Sequence, residues 1–118
     1  MPDDLRYEEH GEVGLITLDR PNARNALTLT TYAELEAAVR STSARCLVIT
    51  GADPAFCSGD DVKQVLSSAG ERMASSPPRQ PAITPAADAL LHTDVPIIAA
   101  VTSWIGCLVF ARFLGRWT

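Results

Sequence analysis

Ser58-Gly59-Asp60-Asp61 is the segment of this chain whose residue types and position suit chemistry. It follows an apolar run, Cys46-Leu47-Val48-Ile49-Thr50, and a turn made of Gly51-Ala52-Asp53-Pro54, and it precedes a helical pattern that starts at Val62. The first backbone N–H groups of a helix have no internal partner, and the helix dipole adds positive potential there. Small residues such as Ser58 and Gly59 let a ligand approach that backbone closely. The chemistry on offer is the binding of an anion, or of a carbonyl oxygen that becomes anionic during a reaction. A plainer role fits the same residues: Gly59 permits the turn and Asp60 or Asp61 caps the helix. Residue types alone leave both readings open.

Other chemistries find less support. Cys57 has no His nearby in sequence to activate it as a nucleophile. Asp60 and Asp61 are adjacent and point in alternate directions, which suits capping better than a cooperating acid/base pair. His10, in a turn, and His92, at a helix end, read as surface residues, and no Cys or His pair has metal-ligand spacing, so no metal is expected. Three cysteines are an odd number without framework spacing, and the N-terminus MPDDLRYEEH is acidic where a secretory signal is basic and then apolar. Both observations point to the cytoplasm. Ten Lys+Arg against fourteen Asp+Glu give a net charge of −4 with no basic cluster, which argues against a nucleic-acid partner. With 47% hydrophobic residues in 118, the chain has enough apolar surface for one folded domain.

The elements that must hold the segment follow from periodicity. Leu5–Glu9 and Val13–Leu18 flank His10-Gly11-Glu12 and predict a β-hairpin. Thr31 and Glu34 have the spacing of a capping box, and Tyr32, Leu35 and Val39 then share one helical face. Cys46–Thr50 predicts a strand buried on both sides, as in parallel sheets. A second helix should bury Val62, Val65, Leu66 and Ala69 and stop at Gly70. Four prolines and two serines in Glu71–Pro85 predict a loop, Ala86–His92 a short helix, and Val95–Val101 another buried strand. The uncharged run Val95–Ala111 touches the lower limit of a membrane span, but Pro96, Gly106 and its β-branched first half favour a strand followed by a short helix. Strands alternating with helices imply an α/β fold with parallel pairing.

Three segments, in order, resemble the enoyl-CoA hydratase/isomerase (crotonase) family. Gly14-Leu15-Ile16-Thr17-Leu18-Asp19-Arg20-Pro21-Asn22-Ala23-Arg24-Asn25-Ala26-Leu27 looks like its N-terminal signature. Val48-Ile49-Thr50-Gly51, with Ala55-Phe56-Cys57-Ser58-Gly59-Asp60-Asp61-Val62-Lys63, is similar to its central motif, and Asp94–Val101 resembles the strand that leads to its second active-site loop. The resemblance spans Val13 to about Val101. It implies a crotonase-like (ββα)n spiral, of which residues 1–101 are the N-terminal part, apparently truncated, and 102–118 a divergent apolar and basic tail.

The family's site residues transfer position by position. The backbone around Arg24 and Ala26 would line the adenine pocket of coenzyme A. Ser58, Gly59, Asp60 and Asp61 would hold the thioester end of an acyl-CoA, with the Asp60 backbone N–H as one of two oxyanion-hole donors. Lys63 either approaches the CoA phosphates or is a solvated lysine. The implied activity is addition of water to a 2-enoyl-CoA in fatty-acid metabolism, with no cofactor beyond the CoA of the substrate. Hydratases of the family place a glycine loop and acidic residues after the third segment. Here Thr102–Thr118 holds one early glycine, Gly106, and no Asp or Glu follows Asp94. The expectation is therefore an inactive or impaired hydratase. The alternative is a non-catalytic fragment that binds CoA or contacts a subunit, with exposed apolar surface that drives homo-oligomerisation or aggregation. The tail itself reads either as an amphipathic helix or as an accidental sequence.

Overall fold

The computed structural model describes residues 4–64, 66–67 and 83–101. Leu5–His10 (β1) and Val13–Leu18 (β2) form the expected hairpin, with His10 paired to Val13 at the end of β1 rather than inside the turn. A single 3-10 turn, Pro21–Ala23, leads to helix α1, Leu29–Ser41. Strand β3 (Cys46–Gly51), helix α2 (Pro85–His92) and strand β4 (Ile97–Ala99) follow. The sheet runs β1-β2-β3-β4, antiparallel at the hairpin and parallel from β2 to β4.

One face of this sheet carries the core. Side chains alternate across a strand, so Ile16 and Leu18 of β2 lie on the same side as Leu47 of β3, and all three are buried with Leu5 of β1. α1 lays Leu35, Ala38 and Val39 on them, and α2 adds Ala86 and Ala89. Alanines at these positions let the two helices pack against each other and against the sheet. Each large aliphatic side chain withdrawn from water in this layer contributes about 1.5–3 kcal/mol.

The opposite face has no such layer among the described residues. Leu15, Val48 and Ile98 stand in one register row across β2, β3 and β4. The first two are half-buried and Ile98 is 55% exposed. Among the described residues, the strands expected to be buried on both sides are thus covered on one. The reason is topological: α1 and α2 both join parallel strands and lie on the same side of the sheet. β4 is an edge strand of three residues, shorter than the expected Val95–Val101, and Val101 is 60% exposed.

Two helix starts differ from the periodicity. The capping box of α1 is built by Thr28 and Thr31, not by Thr31 and Glu34. Thr28 Oγ1 accepts the Thr31 N–H at 3.0 Å, and Thr31 Oγ1 accepts the Thr28 N–H at 3.2 Å. A hydroxyl three residues on serves as well as a carboxylate, and it can be buried without the cost of a charge. Pro85 opens α2 instead of ending the loop before it, because a first-turn residue needs no N–H, and Thr84 supplies the cap to Ala87 N. Val62 and Leu66, expected to face the core, are 64% and 66% exposed. Val65, Ala69, Gly70, most of the Glu71–Pro85 loop and the tail from Thr102 lie outside the described residues. No helix among the described residues is long and apolar enough to cross a membrane.

The one-sided core makes a differential prediction. Leu47→Ala should lower the unfolding free energy by about 2–5 kcal/mol in urea titration, whereas Ile98→Thr should stay within about 0.5 kcal/mol.

Candidate functional site

The site is the meeting of two turns that are far apart in sequence, 20–28 and 52–61. Asn25 joins them. It is 1% exposed, and its side-chain amide donates to the Ala52 and Ala55 carbonyls at 2.8 and 2.6 Å. Its Oδ1 accepts the backbone N–H of Arg20 at 2.8 Å. Both amide donors and the acceptor oxygen are therefore used. Asn25 and Arg24 have φ of +56° and +50°, a left-handed region that asparagine tolerates better than most residues. Gly51 completes the junction. A Cβ there would collide with the carbonyl oxygens of Phe56 and Ala55 and the amide of Asn25, so the second turn closes over a residue that must lack a side chain.

Arg20 ties the same junction to the rest of the domain. Its guanidinium donates to the Ala26 carbonyl at 2.7 Å and to Asp61 Oδ2 at 3.2 and 3.3 Å, and lies 3.6 Å from Asp4 Oδ1. The other Asp4 oxygen accepts the hydroxyls of Thr28 and Thr31 at 2.6 and 3.3 Å. One cation thus links the start of β1, the cap of α1 and the end of the second turn.

The backbone of Ser58–Asp61 is held by a parallel bridge to Leu27. Leu27 N–H donates to the Gly59 carbonyl at 2.8 Å, and Asp61 N–H donates to the Leu27 carbonyl at 2.9 Å. Polar groups of successive residues in an extended chain point to opposite sides. The bridge that consumes the Gly59 carbonyl and the Asp61 N–H therefore turns the Asp60 N–H away from Leu27. Among the described residues no acceptor takes that N–H. Gly59, at φ +107°, gives the chain the bend that presents it, and the space around its Cα is open.

The side chains divide between structure and solvent. Asp61 faces inward to Arg20, and its Oδ1 accepts the Gln64 N–H at 3.4 Å as a helix cap. Gln64 Oε1 in turn accepts the Leu29 N–H at 3.0 Å, closing the turn onto α1. The capping role read from the sequence thus falls to Asp61. Asp60 is exposed, and its Oδ1 accepts the Tyr32 hydroxyl at 2.5 Å. That hydrogen bond, followed by partial burial, pushes the Tyr32 phenol up to about 12. Because the neutral phenol is the favoured form in the fold, its contribution is complete below about pH 10 and is lost as the pH rises through about 12. Cys57 is half-buried, and its sulfur accepts the Gly59 N–H at 3.4 Å.

The remaining sequence candidates are placed as follows. Arg24 and Ala26 sit in the first turn, beside the Ser58 end of the loop. Their N–H groups go to Pro21 and Ala23, the Arg24 carbonyl to Ser58 N–H, and the Ala26 carbonyl to Arg20. Their backbones offer a ligand shape and the second lone pairs of two carbonyls rather than free N–H donors. Ser58 is exposed, with its hydroxyl 3.4 Å from the Ala23 carbonyl, and Lys63 is exposed in the first helical turn. Arg20, Asn25 and Tyr32 were given no part in the site by sequence reasoning. Arg20 and Asn25 lie inside the first segment, but their partners in the second turn are 27 to 41 residues away, which spacing does not reveal. An open depression of about 400 Å³ between the C-terminal ends of the two helices is a separate feature, with its Arg40 already paired to Glu36 and Asp88.

Residues 8–105 match the family model described as enoyl-CoA hydratase/isomerase. The chain is 35% identical over 99 residues to a probable enoyl-CoA hydratase of Rhodobacter capsulatus, which covers 82% of this chain and 37% of that protein. Its fold is similar to that of Pseudomonas aeruginosa OdaA, with a TM-score of 0.70 at 30% identity over 85% of this chain and 40% of that one. A carnitinyl-CoA hydratase from Mycobacterium avium gives a TM-score of 0.66 at 34% identity, over 87% and 40%. The chain thus spans well under half the length of these relatives, and the part it spans has the crotonase-like arrangement, hairpin first and parallel strands after it.

The junction predicts its own weak point. Asn25→Ala would orphan two carbonyls and an N–H at about 1–3 kcal/mol for each group left buried and unpaired. With all three groups part-buried it should cost at least about 3 kcal/mol in urea unfolding, while Lys63→Ala on the exposed turn should cost almost nothing.

Proposed function

The chain belongs to the enoyl-CoA hydratase/isomerase family, and on that premise we propose that it binds an acyl-CoA or enoyl-CoA thioester at the 58–61 loop, with the Asp60 N–H directed at the thioester oxygen. The observation that carries this reading is the Asp60 N–H, which no acceptor among the described residues takes and which the bridge that locks Gly59 and Asp61 to Leu27 turns outward. A thioester oxygen gains negative charge as its enolate forms, and a donor held in advance needs no reorganisation at that moment. Arg24 and Ala26 would border the adenine, Ser58 and Gly59 would let the pantetheine approach the backbone, and Lys63 would lie within the field of the phosphates. Asp61, bound to Arg20, keeps the loop in shape rather than touching the ligand.

The nominal reaction is hydration of a 2-enoyl-CoA in fatty-acid metabolism, in the cytoplasm. It also needs a second oxyanion donor and carboxylates that move protons. Asp88, the acidic residue of α2, is engaged with Arg40 and His92. Binding of the thioester is the reading for this chain. A second reading, a subunit-contact module, draws on the row Leu15, Val48 and Ile98, over which no layer lies among the described residues. Such a module would associate with rising concentration in sedimentation and give no heat with CoA.

Calorimetric titration tests the first reading. Crotonyl-CoA should bind more tightly than CoA alone. Asp60→Pro, which removes the N–H, should leave CoA binding in place and erase the preference for the thioester. Absence of heat from both ligands with the unaltered chain would reject the proposal.

A further inference from the structure

The Asp60 carboxylate stands on the same residue as the outward N–H, and an unrestrained carboxylate there would repel an oxygen acquiring negative charge. Tyr32 addresses this. Its hydroxyl reaches from the second turn of α1 and holds Asp60 Oδ1 at 2.5 Å. Tyr32 is itself half-buried and packs against the core layer, so the donor is anchored by the helix rather than by the loop. A hydrogen bond to a charged acceptor is stronger than one between neutral groups. It draws the carboxylate towards α1, while the bridge to Leu27 keeps the backbone turned the other way. We infer that Tyr32 is a positioning residue for the thioester site: it holds the Asp60 carboxylate back so that the Asp60 N–H alone faces the substrate oxygen. Tyr32 does not touch the ligand, and the inference rests on the thioester reading above.

The bound enolate of acetoacetyl-CoA, which absorbs in the near ultraviolet, reports stabilisation of negative charge at that oxygen separately from affinity for CoA. With the full chain, Tyr32→Phe should bind CoA as the unaltered protein does but lower the enolate fraction of bound acetoacetyl-CoA by about tenfold, the effect of one charged hydrogen bond. In the Asp60→Asn background, where no carboxylate remains to be restrained, adding Tyr32→Phe should change the enolate fraction less than twofold. An equal loss of CoA and acetoacetyl-CoA binding in Tyr32→Phe would make Tyr32 merely structural and overturn the inference. An unchanged enolate fraction would overturn it as well, leaving the thioester reading intact. Failure of the unaltered chain to bind either ligand would reject the thioester reading instead. Hydrogen exchange of residues 57–61 in the unliganded protein then decides the contact itself: about tenfold faster exchange in Tyr32→Phe supports the restraint, and unchanged exchange overturns it.

Discussion

The Asn25 side chain is the interaction on which the rest of the site depends. A buried amide that fails to find partners costs more than a made hydrogen bond returns, so the two turns it joins are fixed together or not at all. Its donors reach the Ala52 and Ala55 carbonyls, and its oxygen takes the Arg20 N–H. From that point the chain has little freedom. Gly51 must be without a side chain because the second turn passes directly over it, and Leu27 comes into register with Gly59 and Asp61.

Charge then completes what the amide begins. Arg20 is shared by Asp4, Asp61 and the Ala26 carbonyl, and Asp4 is shared by the two threonines that cap α1. The cap of the helix, the first strand and the loop that presents Asp60 are therefore parts of one polar network. Such a network is worth most when every member is satisfied. It explains why Asp61, adjacent to Asp60, is spent on structure while Asp60 keeps an N–H that no described residue accepts and an exposed carboxylate tethered to Tyr32. Two neighbouring aspartates of the same type take opposite parts because the bridge to Leu27 faces them in opposite directions.

The sheet shows how far periodicity carries and where it stops. The hairpin, α1, β3 and α2 follow from alternation and helical spacing, with bounds within a few residues of those observed. The error about β3 and β4 has one cause. An apolar run records that side chains prefer burial, but it does not say whether a layer exists on each side. In the described residues both crossover helices lie on the face of Leu47, and the row Leu15, Val48 and Ile98 is left without one. Val62 and Leu66 repeat the lesson, since their helical spacing is apolar and yet they face outward.

By itself the sequence determined the class of fold, the order of its elements and the segment proposed for the chemistry, because those follow from local preferences and from three motifs that are short and contiguous. The resemblance to the crotonase family was visible for the same reason. Only the tertiary structure decided what each motif residue does. The partners of Asn25, Arg20 and Tyr32 in the second turn are brought close by folding across 27 to 41 residues of chain, and the direction of a backbone N–H depends on which neighbour takes the groups on either side of it. Residue type settles what a group is able to bind. Geometry settles whether it is free to do so.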